Sequence, residues 1–425
     1  MIQKITSLIL VLLFLLYIPS QAVTAESEES SYYYIVIDKS TGMILLEQNA
    51  HERIFPASTT KILTAYTALM NAGITSVFTV SPLAAGPLES GAVRLGLLEN
   101  EEMPLYDMLH ALMLKSANDV ALAIAENISG SVEEFCDLMN ETAAGAGALD
   151  THFVNPNGLH DDDHYTTVYD LALITLKAMD NFTFATIVSK EEYSLSPTNL
   201  HDEFPLLSNS NPILGANEGT DFIVTGVKTG YTSKAKFTLV SSARDYSGRD
   251  VICVVANIPT RSASADFSLR IMQRAFDEYE VQSVASSGEI IDSDTIPRFD
   301  YEVATAAGLE YLMPVDTNRW RLTSDVEVYD TSAEEPERGE IVGIINYKYD
   351  GIPIGSSYLV SAEDLSPEGT SSIYSINEFP DESMAGFPLR FLIPLSGFIL
   401  VMFLLFLFGI RYNDKEARSE ENAVR

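Results

Sequence analysis

Hydrophobic and polar positions change period several times along this chain. Tyr32 to Asp38 and Met43 to Gln48 read as two strands joined through Lys39-Ser-Thr-Gly42. From Ser58 the period lengthens to that of an amphipathic helix, running to about Asn71 and ending at Gly73. Helical patterns follow over Leu105 to Lys115, Asp119 to Ile128, Val132 to Ala144 and Val168 to Met179, separated by loops such as Asn155-Pro-Asn-Gly158. Beyond Lys228 the strand period returns at Phe237 to Ala243 and Asp250 to Ile258, and a helix over Phe267 to Glu278 closes the region. Strands at both ends with helices between them predict one sheet built from the first and last segments, an inserted helical lobe, and a cleft between the two.

From about Ile290 to Leu365 the runs are short and alternating, as in Val326-Glu-Val-Tyr329, Glu340 to Asn346 and Ser357 to Val360, with a turn at Asp350-Gly351. This pattern predicts a small all-strand domain over 290–365. Residues 366–388, rich in Ser, Glu, Asp, Pro and Gly, read as a linker. Two apolar runs bracket all of this. Met1 and Lys4 precede a run from Leu8 to Ile18 that breaks at Pro19 and reaches Val23-Thr-Ala25, which predicts a cleaved signal peptide over residues 1–25. Phe391 to Ile410 is long enough to span a bilayer, and Arg411, Lys415 and Arg418 follow it. Basic residues behind a span favour the cytoplasmic side, so the expectation is a single-pass membrane protein with a cytoplasmic tail, 411–425, and everything between leader and helix outside.

Charge narrows the partners. With 60 acidic against 26 basic residues the formal net charge is -34, which argues against nucleic acid and against electrostatic binding to anionic lipid. The two cysteines, Cys136 and Cys253, sit in apolar segments and are expected as separate buried thiols rather than a bridge or a nucleophile.

Three short motifs carry the candidate chemistry: Ser58-Thr-Thr-Lys61, Ser116-Ala-Asn118 and Lys228-Thr229-Gly230. Each alone is weak, and their order and setting are what give them weight. Ser58 and Lys61 are one helical turn apart on one face, with the serine at the positive N-terminal end. Lys61 can serve as a base only if it loses its proton near neutral pH, which burial beside a second cation such as Lys228 would favour. Ser116 and Asn118 fall between two helices, where a loop can present them to the cleft. Lys228, Thr229 and Gly230 lie on a predicted strand edge, suited to holding a carboxylate and admitting a peptide close to the backbone. His160-Asp-Asp-Asp-His164 reads as a solvated polar turn rather than a metal site, for it lacks the helical His-Glu-x-x-His spacing. Gly-x-Ser-x-Gly and Walker motifs are absent, and neither a metal nor another cofactor is called for.

Pro56 to Thr64, Ser116-Ala-Asn-Asp119, Asn155-Pro-Asn-Gly-Leu159 and Val227 to Thr232 closely resemble the low-molecular-mass penicillin-binding proteins that are serine-type D-alanyl-D-alanine carboxypeptidases. The resemblance covers about Tyr32 to Tyr279 and extends more loosely beyond. It implies an α/β (α+β) penicillin-binding/β-lactamase-like transpeptidase fold, with a D,D-peptidase domain over 32–281. It also implies that Ser58 is acylated by the penultimate D-alanine of a peptidoglycan stem peptide, with Lys61 as base and Ser116 and Lys228 assisting proton transfer. Asn118 would position substrate, Thr229 would hold the terminal carboxylate, and the backbone N–H groups of Ser58 and Tyr231 would form the oxyanion hole. β-Lactams would be trapped as slow acyl esters.

The chain departs from the family pattern at two places. Ala235-Lys236 stands where relatives usually carry Ala-Gly, and the family's arginine before the last helix aligns near Ser264, with Arg261 three residues early in an expected loop. Three alternatives use the same scaffold: a D,D-endopeptidase, a β-lactamase, and a wall-binding or sensor homologue without catalysis. A β-lactamase is disfavoured because His152 stands where its water-activating glutamate would be, and no Glu-x-x-Leu-Asn follows.

Overall fold

The computed structural model describes residues 29–216, 219–291, 302–316, 321–329 and 336–362. The signal peptide, linker, membrane helix and tail expected from the sequence lie outside the described residues.

The chain opens with strands β1 (Tyr33–Asp38) and β2 (Ile44–Gln48), paired antiparallel. A 3-10 turn, Ala57–Thr59, leads into α1 (Thr60–Asn71). The sequence pattern began this helix at Ser58. In the structure Ser58 lies in the tighter turn ahead of it, because Pro56 and a left-handed Ala57 (φ 49°) bend the chain there. The lobe continues through β3 (Val77–Thr79), α2 (Pro82–Ala85), β4 (Glu102–Pro104) and α3 (Leu105–His110). It is completed by α4 (Asn118–Ser129), α5 (Val132–Gly145), α6 (Val168–Asp180) and α7 (Phe182–Val188), then by the short strands β5 (Glu192–Tyr193) and β6 (Leu207–Ser208). The helix expected over Leu105 to Lys115 is present but changes character: Ala111–Lys115 is a π-helical turn ending at Ser116.

Three long strands return the chain to the first pair: β7 (Phe222–Thr232), β8 (Lys236–Asp245) and β9 (Asp250–Ile258). They complete an antiparallel sheet of order β2-β1-β9-β8-β7, so the first and last segments do share one sheet. Its two faces can be read from β9, where Ile252, Val254 and Ala256 pack against the helical lobe. Val251, Cys253 and Val255 point the other way, into a second core covered by α8 (Arg261–Glu278). Such period-two alternation with both sets apolar is the mark of a strand buried on both faces. Helix α8 begins six residues before the expected Phe267, because Thr260 caps it by accepting from Ala263 N–H. Its first turn, Arg-Ser-Ala-Ser, has no apolar stripe by which to be noticed.

After α8 come β10 (Tyr279–Ala285), β11 (Ile290–Ile291), β12 (Val303–Thr305), β13 (Leu309–Pro314), β14 (Leu322–Val328), β15 (Ile341–Tyr349) and β16 (Ile352–Ser361). Strands β10 and β13 pair, and the others form a second antiparallel sheet of order β11-β12-β16-β15-β14. Asp350-Gly351 makes the β15–β16 hairpin with both residues at positive φ, the turn that matches strand twist. Cys136 and Cys253 are both free and buried, as the sequence suggested.

Candidate active site

All three motifs converge where the start of α1 meets the edge strand β7 and the loop entering α4. Ser58 is brought to β7 by a glycine: a Cβ on Gly230 would sit 2.9 Å from Pro56 O and 3.2 Å from Ser58 N, so no other residue fits there unchanged. Lys61 is fully buried, and its Nζ lies 3.1 Å from Ser58 Oγ. That nitrogen also donates to Asn118 Oδ1 at 2.8 Å and, at short range, to the carbonyl of Asn157. A neutral amine has two N–H bonds and one lone pair. With two carbonyl-type oxygens taking the N–H bonds, the lone pair is left facing the serine hydroxyl. Burial holds the Lys61 ammonium well below the usual lysine range, and the Lys228 charge adds to this while Asp119 opposes it.

The second motif is held by a buried carboxylate. Asp119 accepts from the backbone N–H groups of Leu95, Gly96 and Leu97, with Arg94 Nε at 3.8 Å, and so ties the 93–97 loop to the first turn of α4. Asn118 is fixed by the same loop, donating from both its backbone and side-chain nitrogens to Val93 O. Ser116, just before it, is left-handed at φ 68°, and its Oγ is sealed from solvent without a hydrogen-bond partner among the described residues. A sealed, unpartnered hydroxyl costs about 1–3 kcal/mol, a cost a fold keeps where a substrate or a passing proton will satisfy it.

In the third motif Lys228 is also buried, and its Nζ donates to Thr229 O at 3.1 Å. Its pKa is pushed down to about 7, by burial first and then by the Arg261 charge. Thr229 Oγ1 pairs with Ser210 Oγ at 3.0 Å, while Arg261 donates to the Ser210 carbonyl. Ser210 thus links Thr229 to Arg261, with Lys228 close enough to feel the Arg261 charge, a grouping of basic and hydroxyl side chains suited to a carboxylate. Tyr231 is exposed and packs its ring on Phe237 at 4.5 Å.

Comparisons with known proteins give the family. The family model for D-alanyl-D-alanine carboxypeptidase matches residues 20–260. This chain belongs to that family. The carboxypeptidase DacF of Bacillus subtilis is 26% identical over 352 residues, covering 81% of this chain and 88% of the relative. Penicillin binding protein 5 from Haemophilus influenzae superposes with a TM-score of 0.60 at 25% identity, over 78% of this chain and 96% of the other. A Streptomyces DD-transpeptidase is 28% identical with a TM-score of 0.54, over 57% of this chain and 96% of its own length. The chain is thus a serine-type carboxypeptidase hydrolase whose relatives include one described as a transpeptidase.

Within the family frame the two departures resolve differently. Ser264 is turned inward, its hydroxyl donating to Arg261 O, and cannot replace an arginine. Arg261 is not in a loop as the sequence implied. It is the first residue of α8, directed at Ser210 and near enough to Lys228 to lower its pKa. Lys236 takes the left-handed conformation, φ 60°, in which a glycine, the residue the resemblance leads one to expect there, would be unstrained. Sequence reasoning missed Asn157, whose contribution is a backbone carbonyl, and Asp119, which was quoted only as part of a motif. It also misjudged His164: Asp161 to Asp163 are exposed, as a polar turn should be, but His164 is 2% exposed.

Proposed function

We propose that Ser58 is the nucleophile of a D-Ala-D-Ala carboxypeptidase acting on peptidoglycan stem pentapeptides in wall biogenesis and remodelling. The observation that carries this is the Lys61 amine, stripped of water and aimed at Ser58 Oγ by two carbonyl acceptors. Lys61 takes the Ser58 proton as Oγ attacks the carbonyl carbon of the penultimate D-alanine. The tetrahedral oxyanion is received by the backbone N–H groups of Ser58 and Tyr231. Collapse breaks the peptide bond, and the proton returns to the departing amine through Ser116, whose free hydroxyl lies at the second motif, with Lys228 assisting. Thr229, Lys228 and Arg261 hold the carboxylate of the leaving D-alanine, and Asn118 orients the acyl part. Gly230 keeps the β7 edge open to strand-like pairing with the peptide. Water then cleaves the ester. A β-lactam acylates Ser58 in the same way but keeps its leaving group attached, so the ester persists.

The leader, the 366–388 linker and the apolar 391–410 segment support a cell-membrane enzyme with its catalytic part outside and its C-terminus in the cytoplasm. The second sheet supports a small β domain over 290–365. Intact-mass measurement of the 26–388 fragment after benzylpenicillin should show one persistent adduct, absent in Ser58→Ala, and the wild-type fragment should release D-alanine from an N-acylated D-Ala-D-Ala peptide. Consumed penicillin without an adduct would make the protein a β-lactamase. Intact penicillin without an adduct would remove the acyl-enzyme altogether.

A further inference from the structure

His164 lies outside the three motifs yet is buried against Thr60 at the start of α1, between Ser58 in the preceding 3-10 turn and Lys61. Its ring makes two hydrogen bonds. Val154 N–H donates to Nδ1 at 3.1 Å, so the imidazole proton is on Nε2, which pairs with Thr60 Oγ1 at 2.8 Å. Thr60 stands between Ser58 and Lys61 on the chain, and Val154 immediately precedes the Asn155–Gly158 turn whose Asn157 carbonyl receives Lys61 Nζ. Phe153 packs edge-on to the ring at 5.2 Å, leaving it little freedom to rotate. Two further ties close the same seam: Thr64 Oγ1 donates to Pro156 O at 2.6 Å, and a Cβ on Gly158 would lie 1.9 Å from Ala57 O.

We propose that His164 is a positioning residue for the general base: as a neutral imidazole bridging Val154 and Thr60, it clamps the Asn155–Gly158 turn onto α1 and keeps the Asn157 carbonyl on Lys61. The proposal rests on Lys61 being the base that activates Ser58. Lys61 needs two acceptors to direct its lone pair, and of these Asn118 is secured by the 93–97 loop through Val93. The Asn157 turn is shaped internally by Gly158 N–H donating to Asn155 Oδ1 and Leu159 N–H donating to Asn157 Oδ1, and the seam is what holds that turn against α1. The burial of His164 fits a permanently neutral role, since it draws the imidazole down to about 4. Asp161 opposes that shift, while the nearby His152, Lys61 and His160 reinforce it. A protonated ring would put an N–H against the Val154 N–H and open the clamp.

The test is the pH dependence of the second-order rate of Ser58 acylation by benzylpenicillin, measured on the full chain in wild type, His164→Phe, His164→Gln and Thr60→Val. Loss of the clamp should lower the rate in His164→Phe about 10- to 100-fold. It should also move the acid limb of the profile to higher pH. Burial is the largest cause of the depressed Lys61 pKa, so water entering the loosened turn outweighs the loss of one carbonyl. Thr60→Val, which keeps the histidine and its packing, should move the limb in the same direction, and His164→Gln, which can still donate to Thr60, should restore part of it. A limb that stays in place in folded His164→Phe and Thr60→Val would overturn the inference, whatever happens to melting temperature or active fraction. Wild type that forms no Ser58 adduct would instead overturn the function on which it rests.

Discussion

The cleft and the C-terminal sheet handle charge in opposite ways. Around the motifs two lysines, an aspartate and a histidine are removed from water; Lys61, Asp119 and His164 are each held by polar groups from other parts of the chain, while Lys228 donates to its neighbour Thr229 O. In the sheet of β11, β12 and β14 to β16 the ion pairs lie on the surface, Lys348 with Asp325 and Arg321 with Asp350, above a small core that includes Val342, Ile345 and Leu359. Surface pairs cost little to form and contribute little. Moving an ammonium into the interior costs several kcal/mol, which the group relieves by releasing its proton. In the contrast, burial around the motifs acts on chemistry more than on stability: it lowers the proton affinity of both lysines, Lys61 well below the usual lysine range and Lys228 to about 7.

That contrast can be broken at four points. The largest effect is expected at Lys61→Met, where acylation by benzylpenicillin should slow about 10³-fold while the protein remains folded, as mass spectrometry and circular dichroism would show. Asp119→Ala leaves three backbone N–H groups without their carboxylate and should lower unfolding free energy by about 3 kcal/mol in a urea titration.

Lys228→Met tests the cost of the second buried amine. Wild-type Lys228 titrates near 7 when folded and near 10.5 when exposed. Between those values the unfolded chain binds more protons, so wild-type stability rises with pH across that window. The methionine variant should therefore be the more stable protein at pH 7, by about 1–4 kcal/mol, with the gap narrowing toward pH 10.5. No gap at pH 7 would mean that the lysine is hydrated. The smallest effect belongs to the other region, where Lys348→Ala should leave the urea midpoint unchanged within error, and a large loss there would erase the distinction.

Much of the fold was legible because its signals are local. Period-two runs marked β1, β2, β8 and β9, amphipathic stripes marked α1 and α4 to α6, and Asp350-Gly351 marked its hairpin. The α8 start was not legible, since Arg261 to Ser264 are small or polar and show no stripe. The short lobe strands β3 to β6 escaped for a related reason: strands of two or three residues are too brief to display a period.

The candidate site divides along the same line. Ser58, Lys61, Ser116, Asn118, Lys228, Thr229 and Gly230 could be named from residue type and spacing, because their chemistry resides in side chains arranged in short motifs. In the structure Ser58 Oγ and Asn118 Oδ1 both lie at Lys61 Nζ, and Lys228 Nζ lies on the Thr229 carbonyl. Asn157 could not be assigned a role in advance, since every residue has a carbonyl and only folding decides which one meets Lys61. His164 looked like part of an acidic surface run until the tertiary structure buried it against Thr60, 104 residues away in sequence. Arg261, too, gained a position beside Ser210 only when α8 packed under the sheet. Sequence by itself determined the reactive groups and the elements that carry them. The tertiary structure decided which partners surround each group, how much water reaches it, and therefore which lysines release their protons, because desolvation and hydrogen bonding depend on neighbours that the local pattern does not encode.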